Sequence, residues 1–500
     1  MNKNLSRRFI LSALLAGVSA PALARAPLSS LRPHPRSGTP AVPAAPPSVK
    51  ALIQRARLGG KVSFVVADAK TGRVLETNKP LLPQPPASVT KTITALYALD
   101  ALGPYFRFKT RLMATGPVQN GRLAGDLVLV GAGDPSLTTD DLAEMAAALK
   151  RAGVRAISGK FKVNIAALPY IRSIDSGQPE HLGYNPAVAA LNLNFNRVYF
   201  EWKRRGGGSG RYDISMDART DRYRPRVSSA KMRVVNRELP VYTYKDAAGV
   251  DSWTVARRVL GKGGGRWLPV RKPHLYAGDV FRSMARAQGI RLPAAIEGKA
   301  ALKGRVLVQH NSDELPVLLR GLLKYSNNMT AETIGMTASA ARGYHVRSLK
   351  GSAKEMTKWS TSHSGVKKSR FVDHSGLGAG SRLTASDMVS ALVKQGPNGS
   401  LAHLLKHIPM RDGRGKVIKG HPIRVYAKTG TLNFVSALAG YVNAPDGRQL
   451  AFAIFAADEK RRAGLAKSDR AAPRGHKSWN KAAKRLQQEL IERWVAVYGG

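Results

Sequence analysis

The sequence predicts an α+β protein, and three observations carry that expectation. Strand–turn–strand patterns occur near both ends of the chain, and helical patterns flank them. Between about 110 and 305 the texture changes to short β-like runs and turns. The 500 residues, 43% hydrophobic, supply an ordinary core and room for roughly three domains at about 150 residues each.

Taken in order, the chain opens with Arg7-Arg8, the 12-residue apolar run Phe9–Ala20 and then Pro21-Ala22-Leu23-Ala24. A basic start, a short apolar stretch and an Ala-x-Ala site describe a secretory signal peptide over 1–24. The run is too short for a transmembrane helix, which needs about 20 apolar residues. Ser6-Arg7-Arg8-Phe9-Ile10-Leu11 fits a twin-arginine signal; an ordinary secretory signal with two arginines fits as well. Residues 25–48 read as a Pro-rich linker. Export by a cleaved signal peptide places the mature chain in the periplasm, and no later transmembrane stretch stands out.

Folded structure is expected from the helix-like Val49–Arg57. Lys61–Ala67 and Val74–Thr77 form a hairpin around Asp68–Arg73, and a helix runs from about Ser88 to Gly103-Pro104. In the middle, Asp126–Gly131, Val154–Val163 and Val198–Trp202 read as strands. Two basic glycine-rich stretches, Lys203–Arg211 and Gly261–Arg266, lack the strand–turn–helix setting of a phosphate loop and read as solvated loops. Helical patterns return at Glu314–Leu323 and Thr330–Ala341. Ile423–Lys428, Val435–Val442 and Leu450–Ala456 read as strands before an amphipathic helix over about Lys477–Val497.

Two bulk properties bound the chemistry. There are no cysteines, which removes disulfides, thiolate metal sites and cysteine nucleophiles together. The formal net charge is +48, which favours polyanionic surroundings such as nucleic acid, anionic lipid or cell-wall polymer. An evenly basic surface without a dedicated site accounts for it equally well. Export argues against nucleic acid.

Three short motifs carry chemistry. In Ser88-Val89-Thr90-Lys91, residues three apart on a helix share a face, so hydroxyl and amine can meet. A serine needs a base to become nucleophilic. Lys91 can be that base if burial disfavours its ammonium form. Alone, the motif also fits an N-cap serine and a surface lysine. Tyr325-Ser326-Asn327-Asn328 offers a hydroxyl and a carboxamide for relaying protons and holding an amide. Lys428-Thr429-Gly430-Thr431 ends a strand, where a cation and two hydroxyls suit a carboxylate. Gly430 allows close backbone approach, and an edge strand can pair with an extended peptide.

In the order S-x-x-K, S-x-N, K-T-G these motifs resemble the penicillin-binding proteins and class A β-lactamases. The 234 residues between Lys91 and Ser326 exceed what a β-lactamase needs. The chain is similar to the D-alanyl-D-alanine carboxypeptidase/endopeptidase family of the penicillin-binding protein 4 type, low-molecular-mass class C. Gly125–Leu137, Tyr184–Asn196, Lys324–Glu332 and Asp373-His374-Ser375-Gly376-Leu377 resemble further segments of that family. Asn327 stands where Asp is commoner, and the chain is more basic than the family's usual members.

The resemblance implies a β-lactamase/transpeptidase-like catalytic domain, an antiparallel sheet flanked by helices, formed by 49–109 and 306–500. It implies that 110–305 holds two smaller inserted domains, one nested in the other. It also implies roles: Ser88 attacks the carbonyl between the last two D-alanines, with Lys91 as base. Ser326, bridged by Lys428, returns the proton, and Asn328 orients Lys91 and the substrate amide. Thr429, Gly430 and Thr431 hold the terminal carboxylate, and the backbone N–H groups of Ser88 and Thr431 form the oxyanion hole. The implied partners are peptidoglycan stem peptides and crosslinks, with β-lactams as covalent inhibitors and neither metal nor organic cofactor. Two rival readings are a β-lactamase or esterase, betrayed by rapid penicillin turnover, and a non-catalytic cell-wall-binding protein, betrayed by sacculus binding without D-alanine release.

Overall fold

The computed structural model describes residues 46–206, 210–298 and 304–499. The expected signal peptide, the linker up to residue 45 and the centre of the first basic loop lie outside the described residues. The described chain begins at the first helix, Val49–Ala56, where the Ser48 hydroxyl caps the N-terminus by accepting from Ala51 N–H at 3.2 Å.

Near-continuous apolar strands at both ends of the chain build one six-stranded antiparallel sheet. Its order is Lys406–Ile408, Arg424–Leu432, Val435–Asn443, Gln449–Ala457, Lys61–Asp68, Val74–Asn78. Lys61–Asp68 pairs along its whole length with Gln449–Ala457, so the two ends of the chain close the sheet together. The period-two alternation of a strand splits these residues between two cores. Phe64, Val66, Leu438, Val442, Phe452 and Ile454 face the first and last helices, Val49–Ala56 and His476–Tyr498. Val65, Ala67, Ala439, Tyr441, Ala453 and Phe455 face a second layer of helices. That layer contains Thr90–Leu102, Leu315–Tyr325, Asn328–Ala341, Leu349–His363 and Ala385–Gln395. Burial on both faces explains why these strands lack the apolar–polar alternation of a half-exposed sheet.

The chain between these two sets of elements has its own sheets and core. A five-stranded sheet runs Ile296–Gly298, Phe161–Asn164, Leu127–Val130, Lys109–Ala114, Arg305–Asn311. Two three-stranded sheets follow, one of Tyr212–Asp217, Arg197–Arg204 and Gly263–Pro269, the other of Ala230–Val235, Val250–Ala256 and Tyr242–Ala247. One apolar cluster joins all three, and Phe161, Phe200, Trp253 and Phe281 lie fully buried in it.

Several elements differ from the sequence expectation. The run Val154–Val163 is two strands, Ala156–Ile157 and Phe161–Asn164, broken by a turn at Ser158-Gly159. A side chain at Gly159 would meet Asp126 Oδ1 at 2.4 Å, so that turn is wedged against the neighbouring loop. The second basic stretch is no free loop, because Gly263–Pro269 pairs antiparallel with Arg197–Arg204. Helices Thr139–Arg151 and Pro273–Ala287 lie inside the region read as β-like, and Leu349–His363 and Ala385–Gln395 were also unanticipated. Thr139–Arg151 carries a reciprocal capping box between Thr138 and Asp141, a signal that is legible in the sequence.

The last helix ties the sheet down through Trp494, fully buried between Phe64 and Phe452 with ring centroids 5.3 and 6.0 Å away. Its indole N–H donates to Glu76 Oε2 at 2.9 Å, which links the helix to the hairpin strand Val74–Asn78. Trp494→Ala is expected to lower the urea unfolding midpoint by the equivalent of about 3–5 kcal/mol. Trp494→Phe, which loses mainly the hydrogen bond, is expected to cost less.

Candidate active site

Ser88 lies in a single 3-10 turn, Ala87–Val89, that runs into the helix Thr90–Leu102. The preceding residue, Ala87, has φ 46°, a left-handed conformation uncommon for a residue with a side chain. Two glycines crowd this turn. A Cβ on Gly376 would come within 1.9 Å of Ala87 O, and one on Gly430 within 2.7 Å of Pro86 O. The D-x-S-G-L loop and the K-T-G strand therefore close on the backbone around Ser88 only because both positions lack a side chain.

Lys91, one helical turn on, is completely buried. Its Nζ donates to Ser88 Oγ at 2.9 Å, Asn328 Oδ1 at 2.7 Å and the Ser375 carbonyl at 2.7 Å. Burial pushes its pKa down to about 7, against the opposing pull of the Glu332 and Asp373 carboxyls. Desolvation therefore outweighs attraction, and an amine near neutrality faces the serine hydroxyl.

The second motif sits at a kink between two helices. Ser326 ends Leu315–Tyr325 in a left-handed conformation, φ 61°, and its N–H bonds to the Leu322 carbonyl. Asn327 caps the next helix, Asn328–Ala341, by accepting from Thr330 N–H at 3.0 Å. Asp caps as well as Asn, so the departure at Asn327 falls on a structural position. Asn328 reaches both ways: its oxygen accepts from Lys91, and its nitrogen donates to the Tyr184 carbonyl at 2.9 Å.

Lys428 Nζ donates to Ser326 Oγ at 2.9 Å and to the Thr429 carbonyl at 2.7 Å. Burial, and then the nearby Lys91 and Lys406, hold Lys428 well below the usual lysine range. The K-T-G strand pairs with Val435–Asn443 on one side. On the other, Lys406–Ile408 covers only Val425–Ala427. Among the described residues no strand pairs with Lys428–Leu432 on that side, and this is the free edge that an extended peptide could join. Thr431 lines the adjoining cleft, whereas Thr429 is half-buried and offers its carbonyl to Lys428.

The cleft, about 470 Å³, opens over Ser88, Ser326, Asn328 and Thr431. Its lining also holds Arg382, Arg462 and Arg470 together with the carboxyls of Asp175 and Glu459, and Arg382 is paired with Glu459 at 2.8 Å. Arg470 donates to the Gly177 carbonyl at 2.8 Å, and Asn433 donates to the Arg470 carbonyl at 2.7 Å. Segments 175–184 and 459–476 thus meet across the cleft.

The structure therefore brings together Ser88, Lys91, Ser326, Asn328 and Lys428, with Gly430 packed beneath and Thr431 at the rim. The motifs did not reveal the supports underneath. Glu332, fully buried, accepts from the backbone N–H groups of His374 and Ser375, both at 2.9 Å. Asp373 accepts from Gly376 N–H at 2.8 Å and Gly378 N–H at 2.5 Å. Burial raises the pKa of both carboxyls. Together they fold the 373–378 loop so that the Ser375 carbonyl points at Lys91. Asn328 and Glu332 are four apart on one helix, a spacing that signals a shared face.

A family model described as the D-Ala-D-Ala carboxypeptidase 3 (S13) family matches residues 46–474. The chain belongs to this family of peptidases. It is 26% identical over 438 residues to the D-alanyl-D-alanine carboxypeptidase DacB of Haemophilus influenzae, covering 82% of this chain and 88% of that one. It is 28% identical over 448 residues to a D-alanyl-D-alanine carboxypeptidase of an Actinomadura species, covering 81% and 79%. The crystal structure of penicillin-binding protein 4 from Haemophilus influenzae superposes with TM-score 0.69 at 23% identity, over 82% of this chain and 93% of the other. This likeness establishes a shared fold, an antiparallel sheet flanked by helices and interrupted by a β-rich region, as the resemblance implied.

Two expected outcomes follow from the supports. Gly376→Ala forces the loop off Ala87 and is expected to slow acylation of Ser88 by a β-lactam about 10²-fold, the usual cost of displacement by about 1 Å. Glu332→Gln sets an amide NH2 against one of the two backbone N–H groups that the carboxyl oxygens now accept from, so the loop that aims the Ser375 carbonyl at Lys91 loosens and acylation is expected to slow severalfold. Stopped-flow acylation across pH checks both.

Proposed function

We propose that the chain is a serine-type D,D-carboxypeptidase that works through an acyl-enzyme on Ser88. The observation that carries this reading is a fully buried Lys91 amine, shifted to near neutrality, 2.9 Å from Ser88 Oγ.

In this mechanism the stem peptide lies along the free edge at Lys428–Thr431, its terminal carboxylate held by Thr429 and Thr431. Lys91 takes the hydroxyl proton as Ser88 Oγ attacks the carbonyl between the last two D-alanines. The backbone N–H groups of Ser88 and Thr431 receive the oxyanion, and one such donor is typically worth about 10²–10³ in turnover. The tetrahedral intermediate collapses as its C–N bond breaks, and the proton taken up by Lys91 passes through the Ser326 hydroxyl, held by Lys428, to the nitrogen of the departing D-alanine, leaving Lys91 and Ser326 as they began. Water then attacks the ester and restores Ser88. Asn328 keeps Lys91 in place and accommodates the peptide amide through its nitrogen. The same steps on a crosslink release a second stem peptide, which makes the enzyme an endopeptidase as well. A β-lactam presents its ring amide to Ser88 and leaves a stable ester.

The substrate places this activity at the peptidoglycan, outside the cytoplasm, and the export signal read over 1–24 supports that address. Among the described residues no helix is long and apolar enough to cross a membrane. We read 49–109 and 306–500 as the catalytic domain and 110–305 as two inserted domains, one nested in the other. The separate sheets and core of the intervening region support setting it apart from the catalytic domain, with its far boundary nearer residue 311, because Arg305–Asn311 pairs with Lys109–Ala114 in the intervening sheet.

The protein incubated with penicillin is expected to gain one covalent adduct, mapped to Ser88 by peptide mass spectrometry. Ser88→Ala should gain none, and an adduct surviving that change would overturn the assignment. Lys91 is protonated and unable to accept a proton below about pH 7, and free above it. Adduct formation should therefore rise with pH through a midpoint near 7. Incubation with defined monomeric and crosslinked muropeptides should release D-alanine from the first and separate the second.

A further inference from the structure

The strongly positive charge has one region where geometry gives it a use. Residues 197–272 hold 19 lysines and arginines against 7 acidic residues. Within them, the sheet of Ala230–Val235, Val250–Ala256 and Tyr242–Ala247 buries one face through Met232, Trp253 and Val255. Register fixes what the other face presents. Lys231, Ser252 and Lys245 stand side by side across the three strands, and Arg233, Thr254 and Thr243 form the next row. Two rows of the outer face thus hold three cations, three hydroxyls and no carboxylate. The acids of these strands, Asp246 and Asp251, share a register with Ala230 on the opposite face. Lys272 engages Asp246 at 2.8 Å, and Tyr244 Oη and Arg271 N–H engage Asp251.

At one end of this sheet two loops come together. The Arg237 guanidinium donates to the carbonyls of Pro240, Val241 and Thr254, Arg258 donates to that of Glu238, and Arg257 to that of Gly210. Among the described residues, no carboxylate lies within salt-bridge distance of these three arginines, nor of Lys231, Arg233 or Lys245. Backbone carbonyls therefore hold the guanidinium groups in place without neutralising them. Between them Leu239 is 72% exposed and Val259 41% exposed, although the next residue, Leu260, is buried.

We propose that this sheet face and its loop end form a docking surface for an anionic lipid bilayer, separate from the catalytic cleft. Fixed cations without acidic partners match a layer of lipid phosphates, and each basic side chain near such a surface adds to the attraction. A soluble polyanion would need only the cations. Exposed aliphatic side chains among them fit a surface with an apolar interior, where Leu239 and Val259 leave water. Docking would hold the enzyme against the membrane, where newly exported wall material appears, and would weaken with salt.

The test is sedimentation of the exported form of the chain with vesicles of phosphatidylcholine, with and without 30 mol% phosphatidylglycerol. Partition onto the anionic vesicles is expected to exceed partition onto neutral ones at least tenfold and to fall with added salt. The triple variant K231E/R233E/K245E should lose at least tenfold, and L239S severalfold. All these positions are exposed and outside the cleft, so D-alanine release from a soluble stem peptide should be unchanged. That release separates failure of docking from failure of the catalytic reading. Equal binding to both vesicles, or a triple variant that binds like the parent, overturns the proposal. If L239S binds vesicles unchanged while the charge variant loses both vesicles and soluble polyphosphate, the surface serves a polyanion and the lipid assignment is wrong.

Discussion

Lys91 ends in a place without water, and its amine must find every partner within the protein. Its three hydrogen bonds go to Ser88 Oγ, Asn328 Oδ1 and the Ser375 carbonyl. Each acceptor comes from a different stretch of chain, so the burial of one amine fixes the relative positions of the Ser88 turn, the second-motif helix and the D-x-S-G-L loop. Losing one acceptor would leave a buried donor unsatisfied, which is more costly than the bond itself is stabilising. Lys428 imposes the same demand on Ser326. Burial disfavours the ammonium form of both amines, and the nearby Lys91 adds to that effect on Lys428.

That convergence rests on a scaffold buried on both faces. The six-stranded sheet is closed by strands from opposite ends of the chain. Its last helix locks onto the hairpin through Trp494 and Glu76. The intervening sheets emerge after the helix Thr90–Leu102 and return before the helix that leads to Ser326. This route lets the region carry its own core and still lower Tyr184 and Gly177 onto the cleft, where they meet Asn328 and Arg470. The cleft is thereby walled partly by the intervening region and partly by the motif-bearing elements.

Much of this was legible in the sequence, for reasons that differ between elements. Ser88 and Lys91 are local, three apart on one helix, and periodicity alone predicts their meeting. The strands of the central sheet announce themselves because burial on both faces leaves them almost wholly apolar. The helices Leu349–His363 and Ala385–Gln395 escaped because serine, threonine and lysine dilute their apolar stripes. Thr139–Arg151 escaped despite its capping box, since the β-like texture around it set the reading of the region. The second glycine-rich stretch pairs as a strand because Arg197–Arg204 offers it a free edge, a tertiary fact with no local signature. The supports under Lys91 were half visible: Asn328 and Glu332 show their spacing, but the loop that Glu332 holds comes from 42 residues further along.

The proposed chemistry depends on the protonation state of Lys91, so titrating that amine tests it most directly. Carbon-13 NMR of lysine labelled at Cε, with the Lys91 signal assigned by its loss in Lys91→Met, follows its protonation as pH changes. A midpoint near 7, far below the surface lysines, is the result expected from its burial. A midpoint near 10.5, the ordinary value for a lysine, would leave Ser88 without a base at neutral pH and contradict the proposed mechanism.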